Sequence, residues 1–458
     1  MKRIIQSVFA VIFSFFMVSE SFAVGSAAIG NEVNSARSLG QGGASVAAVE
    51  EDPTTVYENP AGLTALKGTQ LTLGGVWENL HGYYDNQSGT TEKMRSIDVL
   101  VPNFAATQSL MDGKLGVGLA AVSAYGLESH WPGDANSPLR YITTNSRLHI
   151  IDVTPAVAYQ IHPMVSVGVG ADYINVNTAD LEKNVNMNDV NNGIEIANGL
   201  TPTFAGLADG DSKLTGTAAN WGYHAGLTFQ PTPQNTFGLV YHSKVKLNVN
   251  GTVALTGISG AYAQGAFGGS TFATSAFTDI YLPQNIQFGY AFKPNDKWTI
   301  EADTAWYDWN PDQSLNIRYP DATAAQIQLL TANGAGNPQP LNWRDNWSFE
   351  TGTNYKLNDQ LQLRGGFFYE PWVEPESAFS PDLLDLTRYG LAVGAGYAFT
   401  PSFVVDLAYN AIFFHNRTIN NNLGVNSTGD QAVTDSGKYS DFSNLIALNF
   451  TYKFGGSK

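Results

Sequence analysis

The chain has 458 residues, of which only 14% are charged and 12% are aromatic, with 46 glycines; that is too aromatic and too charge-poor for a disordered polymer. A formal charge of −16 offers no basic footprint for phosphate and argues against nucleic-acid binding. The absence of cysteine removes disulfides, thiolate metal sites and thiol nucleophiles together.

Lys2 and Arg3 precede an apolar run from Ile4 to Val18, closed by Ser21, Phe22 and Ala23 with small residues at −3 and −1. This pattern predicts a secretory signal over residues 1–23, cleaved after Ala23. No later segment supplies about twenty consecutive strongly apolar residues, so no membrane helix is predicted beyond it. Residues 24–66 are small and Gly-rich (Gly40, Gly42, Gly43) and do not alternate. Taken alone they read either as a periplasmic linker or as a compact segment filling a lumen.

From residue 68 onward the rhythm has a period of two. Strands are predicted near 68–80, 95–105, 113–125, 147–160, 164–177, 217–230, 235–249, 283–293, 297–309, 346–356, 360–370, 388–399, 402–413 and 441–454. In the last of these, Ile446, Leu448, Phe450, Tyr452 and Phe454 alternate with Ala447, Asn449, Thr451 and Lys453. Trp298 and Trp306 bracket one apolar face whose reverse carries Glu301 and Asp303. Short connections such as Lys293-Pro294-Asn295-Asp296 alternate with long ones over 126–146, 178–216, 250–282, 310–345, 371–387 and 414–440. A soluble sandwich rarely keeps that asymmetry, whereas a membrane barrel requires it, with apolar residues toward lipid and small or polar ones inward. The fold class is therefore all-β: a membrane-spanning antiparallel barrel of about fourteen strands over 67–454, followed by a short tail at 455–458. Closure leaves no sheet edge in hydrocarbon, where each unpaired backbone group costs several kcal/mol.

A string of short words then appears in order: Asn59-Pro60-Ala61, Val101-Pro102-Asn103, Tyr125-Gly126-Leu127, Trp221-Gly222-Tyr223-His224, Tyr241-His242-Ser243-Lys244, Leu282-Pro283-Gln284 and Arg344-Asp345-Asn346-Trp347. Together they resemble the FadL/TodX family of outer-membrane transporters for long-chain fatty acids and hydrophobic compounds, from about Val24 to Phe454. The resemblance implies an N-terminal hatch at 24–66 carrying Asn59, Pro60 and Ala61, and a lateral opening at a kink in the third strand. Gly116 and Gly118 would permit that kink, or else fit a crowded wall against the hatch. It also implies that Val24, Ala27, Ala28 and Ile29 lie against bound ligand. The expected partners are a hydrophobic small molecule and outer-membrane lipid, with the barrel a monomer and no cofactor.

The charge-free stretch from Leu247 to Thr278, with Tyr262, Phe267, Phe272 and Phe277, is the candidate outer groove, unless its rings fold onto one another. Ile327, Leu329 and Leu330 are a second candidate on a short loop helix. Arg344, Arg364 and Arg388 are candidates for a carboxylate head group, with internal ion pairs to Glu301, Asp303, Glu350 or Asp406 as the competing role. Lys246, His224 and His242 are expected nearby. An outer-membrane hydrolase built on His224 or His242 is the alternative of another class, but no G-x-S-x-G or H-E-x-x-H is present. A general porin is a third reading; a filled lumen argues against it.

Overall fold

The computed structural model describes residue 30 and residues 34–48, 52–86, 89–311, 313–331, 337–421, 424–425, 432–433 and 435–454. The expected signal at 1–23, Val24 and Ile29, and the tail at 455–458 lie outside the described residues.

One antiparallel sheet of seventeen segments closes on itself; three staves are broken in two, so the wall has fourteen. The staves are β1 (Thr69–Leu80), β2 (Ile97–Leu110), β3 (Leu115–Val122, then Gly126–His130), β4 (Asn145–His162), β5 (Val165–Val185), β6 (Gly210–Thr232) and β7 (Asn235–His242, then Val245–Thr256). They continue as β8 (Phe272–Leu282, then Gln284–Asn295), β9 (Trp298–Asp308), β10 (Asn346–Lys356), β11 (Leu361–Glu370), β12 (Arg388–Thr400), β13 (Phe403–Phe414) and β14 (Phe442–Phe454). Closure is by β14 on β1, with Thr69 opposite Phe454 and Trp77 opposite Ile446.

The alternation faces as expected for a lipid-facing wall. Along β14, Leu448 and Phe450 are 39% and 44% exposed, while Ala447 and Asn449 between them are 0% and 3%. Placing the apolar set outward and the small or polar set inward is the reverse of a soluble sandwich, because lipid replaces the core as the apolar phase.

Two expectations about extent are corrected. Staves β5 to β8 rise well above the predicted ends: Val185 still pairs with Gly210, and Leu255 with Phe272. Above the lipid both faces meet water or loops, so the sequence loses its apolar beat while the ladder continues. The seventh-to-eighth connection is therefore 257–271, not a loop from 250 to 282. Leu282-Pro283-Gln284 lies within β8 rather than before it; Pro283, with no N–H to donate, marks its interruption.

Inside the wall, residues 34–48 and 52–66 form a compact hatch with two short helices, α1 (Ala36–Gly40) and α2 (Thr55–Glu58), and a 3₁₀ turn over Pro60–Thr64. Inward-facing glycines make room for it. A Cβ on Gly168 would stand 2.5 Å from the Pro60 carbonyl carbon, and one on Gly352 2.5 Å from the Gln41 oxygen. Loop helices α3 (Met187–Ala197), α4 (Ala261–Phe267) and α5 (Ala324–Thr331) cap the outer end.

Candidate functional site

The hatch is held by polar contacts that leave few of its amides idle. Asn59 donates from Nδ2 to the Val46 carbonyl at 2.7 Å, and its Oδ1 accepts from Ala61 N–H at 3.2 Å. Pro60 opens the 3₁₀ turn, where a missing N–H costs nothing. From the wall, Asp303 accepts the amides of Ser45 and Val46 at 2.9 and 3.0 Å, and Glu301 those of Ala47 and Ala48 at 2.5 and 2.9 Å. Asn449 Oδ1 accepts Ala36 N–H at 2.8 Å. Glu301 and Asp303 thus hold backbone rather than arginine.

The third stave is broken. Its ladder with β2 runs from Leu110 opposite Leu115 to Phe104 opposite Ala121 and stops there. Ser123 and Ala124 lie outside the ladder, and Tyr125 forms an isolated antiparallel bridge with Gly30 ahead of the hatch. Gly116 and Gly118 do not make this break. A Cβ at 116 would meet the Leu63 oxygen at 2.6 Å and one at 118 the Val56 Cγ2 at 2.5 Å, so both glycines seat the hatch. The interruption begins five residues beyond Gly118, at 123–125.

Above the hatch lies a chamber in two adjoining parts, an apolar one of about 110 Å³ and one of about 130 Å³ with mixed polar and apolar walls, which share Leu181, Leu214, Leu315 and Ile317. The first is lined further by Leu127, Leu148, Leu341 and Trp343. The same buried apolar cluster continues through Tyr307 and Ala305 to Ala124 and Tyr125 at the break. There a smaller cavity of about 60 Å³ opens between Tyr57, Tyr125, His242 and Tyr307. Charged groups sit at the chamber edge: Arg147, which pairs with Asp180 at 2.7 Å, lines it, as do Glu182 and Lys183 beside Asp382, whereas Lys213, which pairs with Glu182 at 2.6 Å, is exposed and does not. Burial pushes the Asp382 carboxyl above its ordinary range, against the pull of Ser380 and Lys183.

The sequence-derived candidates are dispersed. Arg388 is buried and paired with Glu370 at 2.5 Å; Arg364 is buried and paired with Asp406 at 2.6 Å below the hatch. Arg344 is exposed at the outer rim, its guanidinium 5.7 Å over the Trp372 ring. None of the three lines the apolar chamber. Lys246 faces outward and pairs with Asp279 at 3.1 Å. Phe267 is buried among Met187, Val190, Leu255 and Ile258, and Phe272 packs on it at 5.0 Å, so these rings close on one another. Phe277 lies on β8, its backbone bridged to Arg318, while Tyr262 remains exposed. Leu329 and Leu330 of α5 join the Phe267 cluster. Sequence reasoning missed Arg147 and the chamber leucines; Arg147 stands near the start of β4, and Leu127, Leu181, Leu214 and Leu341 come from β3, β5, β6 and a loop, so no single stretch of sequence signals them.

A closed barrel with a lipid-facing exterior, a filled lumen and an internal apolar chamber defines a plugged transport barrel of the outer-membrane type. The chain belongs to the family described as outer membrane protein transport protein (OMPP1/FadL/TodX), whose profile matches residues 17–454. It is 24% identical over 443 residues to a long-chain fatty acid transport protein of Salmonella typhi, covering 93% of each chain. Its fold is similar to a Pseudomonas aeruginosa FadL homologue (TM-score 0.78, 18% identity, 92% of this chain and 98% of that one). It is also similar to the toluene transporter TodX of P. putida (TM-score 0.66, 19% identity, 91% and 97%).

Proposed function

We propose that this barrel, exported with cleavage after Ala23 and working as a monomer, carries hydrophobic compounds passively across the outer membrane, with long-chain fatty acids the preferred cargo. The observation that carries this reading is the contiguous apolar packing that runs from the chamber lining at Leu148 and Trp343 to the broken stave at Ala124 and Tyr125. A greasy molecule gains roughly 25 cal/mol for each Å² it withdraws from water, so the chamber is a downhill stop below the polar outer leaflet. The break gives it a sideways way out into lipid, and Gly30 closes that way by backbone pairing. Release of Gly30 from Tyr125, followed by shifting of the hatch around Asn59, Pro60 and Ala61, opens the way. A fatty-acid carboxylate at the chamber edge exchanges for Asp180 on Arg147. The name of the Salmonella relative supports that head group.

The chain contains no cysteine, which permits a clean test. Gly30→Cys with Tyr125→Cys places two thiols at a bridged antiparallel pair, within disulfide reach. Uptake of labelled oleate should stop on oxidation and return on reduction. Equal uptake in both states removes the lateral exit from the mechanism.

A second reading is uptake of neutral aromatics, as the name of TodX suggests, favoured by one observation: Arg147 at the chamber edge already has a carboxylate partner. Competition of toluene against oleate for the purified protein decides between them.

A further inference from the structure

Three neighbouring staves bring Asp172 (β5), His224 (β6) and His242 (β7) to one spot on the inner wall, His224 standing opposite His242 in the ladder. All three are at least 95% buried, at 4%, 0% and 5% exposure. One ligand atom from each lies within 4.8 Å of the others. His224 Nε2 is 2.9 Å from the Val56 carbonyl of the hatch, so that nitrogen carries the proton. The neutral ring then presents the Nδ1 lone pair, at 2.8 Å, to the Asp172 carboxylate oxygen. Two acceptors at that distance require a positive charge between them, either a second proton or a metal ion.

The surroundings favour an ion. His242 Nε2 is buried and finds no hydrogen-bond partner among the described residues. Its ring stacks on His224 with centroids 5.1 Å apart, and the Tyr57 ring covers it at 4.8 Å. Asp172 Oδ1 is steadied by the Thr154 hydroxyl at 2.9 Å. A ligating imidazole typically donates its other N–H to a backbone carbonyl, and a ligating carboxylate is itself hydrogen-bonded; His224 and Asp172 meet both conditions. His242 also lines the cavity of about 60 Å³ beside Tyr125, which provides access and room for a water ligand.

We propose that Asp172, His224 and His242 form a binding site for a zinc-class divalent transition-metal ion. Two imidazoles and one carboxylate suit that class and not calcium or magnesium. Opening of the 2.8 Å His224–Asp172 pair by about half an ångström, with approach of His242 by up to about 1.5 Å, brings the donors to the roughly 3.3 Å spacing around tetrahedral zinc. The ion sits beneath α2 and, through the His224 N–H, fixes the Val56 carbonyl; metal occupancy therefore pins the hatch.

The test uses the full-length mature protein, purified in detergent without a histidine tag and stripped with chelator. Equilibrium dialysis against Zn²⁺ should give one ion per chain, and Co²⁺ should give the absorption bands of a four-coordinate site. His242→Gln and Asp172→Asn should each weaken binding at least tenfold. A heat-modifiable gel shift checks that each variant barrel is closed; if Asp172→Asn does not assemble, His242→Gln alone decides. Absence of saturable binding, or equal affinity in wild type and variants, overturns the site. Zn²⁺ should also slow hydrogen exchange over residues 55–59 in the wild type and not in His242→Gln; unchanged exchange overturns the link to the hatch.

Discussion

The side-chain amide of Asn59 rests directly on the backbone of Gly226, so near that a Cβ at 226 would overlap its Oδ1. From that position the amide donates to Val46 of the hatch and reaches the Leu227 carbonyl of the wall at 3.5 Å. Gly226→Ala should therefore unseat the hatch without opening the barrel. Limited proteolysis within residues 34–66, in protein that keeps its heat-modifiable gel shift, checks this. Resistance equal to wild type would show that the hatch adjusts around the added methyl.

Asn59→Ala acts on the same joint from the other side. It leaves the Val46 carbonyl, buried in the lumen, without its 2.7 Å donor, at a cost of about 1–3 kcal/mol to hatch seating. Faster exchange of the 44–48 amides, with unchanged exchange in β13, is the expected reading.

Asp303 and Glu301 each accept two hatch amides, so their truncation should act at a distance along the chain. Asp303→Ala strands the Ser45 and Val46 donors, whereas Asp303→Asn keeps one acceptor oxygen and should retain most of the seating. Single-channel recordings should show frequent openings for the alanine variant and rare ones for the asparagine variant. The opposite order would place the hatch restraint elsewhere.

Arg388 and Glu370 test whether an inward arginine serves ligand or wall. They are 2% and 1% exposed, and Arg388→Ala leaves the carboxylate buried and unpaired, at about 3–5 kcal/mol. The melting midpoint of the barrel should fall while oleate affinity stays within twofold. Weaker binding with unchanged melting would instead make Arg388 a head-group contact.

The outer loops carry a pH dependence of definite sign. Burial raises the Asp435 carboxyl to about 7, and burial together with Asp385 raises Glu374 well above the carboxylate range. The folded loops keep these protons while an unfolded chain sheds them above about pH 4, so loop stability is greatest in acid and declines between about pH 4 and 7. Hydrogen exchange in the small strand Gly437–Ser440, corrected for intrinsic rate, should be faster relative to its pH 5 value at pH 8. Asp435→Asn should flatten much of that difference.

The staves were legible in the sequence because lipid imposes an apolar beat on every second residue, as Ile446, Leu448 and Phe450 display. Where the staves leave the lipid that beat vanishes, and Lys183, Lys213 and their partners passed for loop. The glycines at 116 and 118 were visible but ambiguous, since a sequence shows room for a bend and room for a neighbour in the same letter; Leu63 and Val56 settle which it is. The chamber was illegible for another reason. Leu127, Leu214 and Leu341 are separated by long stretches of chain and meet only through closure and loop folding. The Asp172–His224–His242 cluster depends likewise on the register of three staves.

The bridge between Gly30 and Tyr125 joins backbone to backbone, and such a joint reads no side chain. Exchange of the Tyr125 side chain therefore leaves the joint in place, whereas a change to the backbone itself, such as the loss of an N–H, undoes it. The wall would then come ajar through a lesion that alters no contact surface.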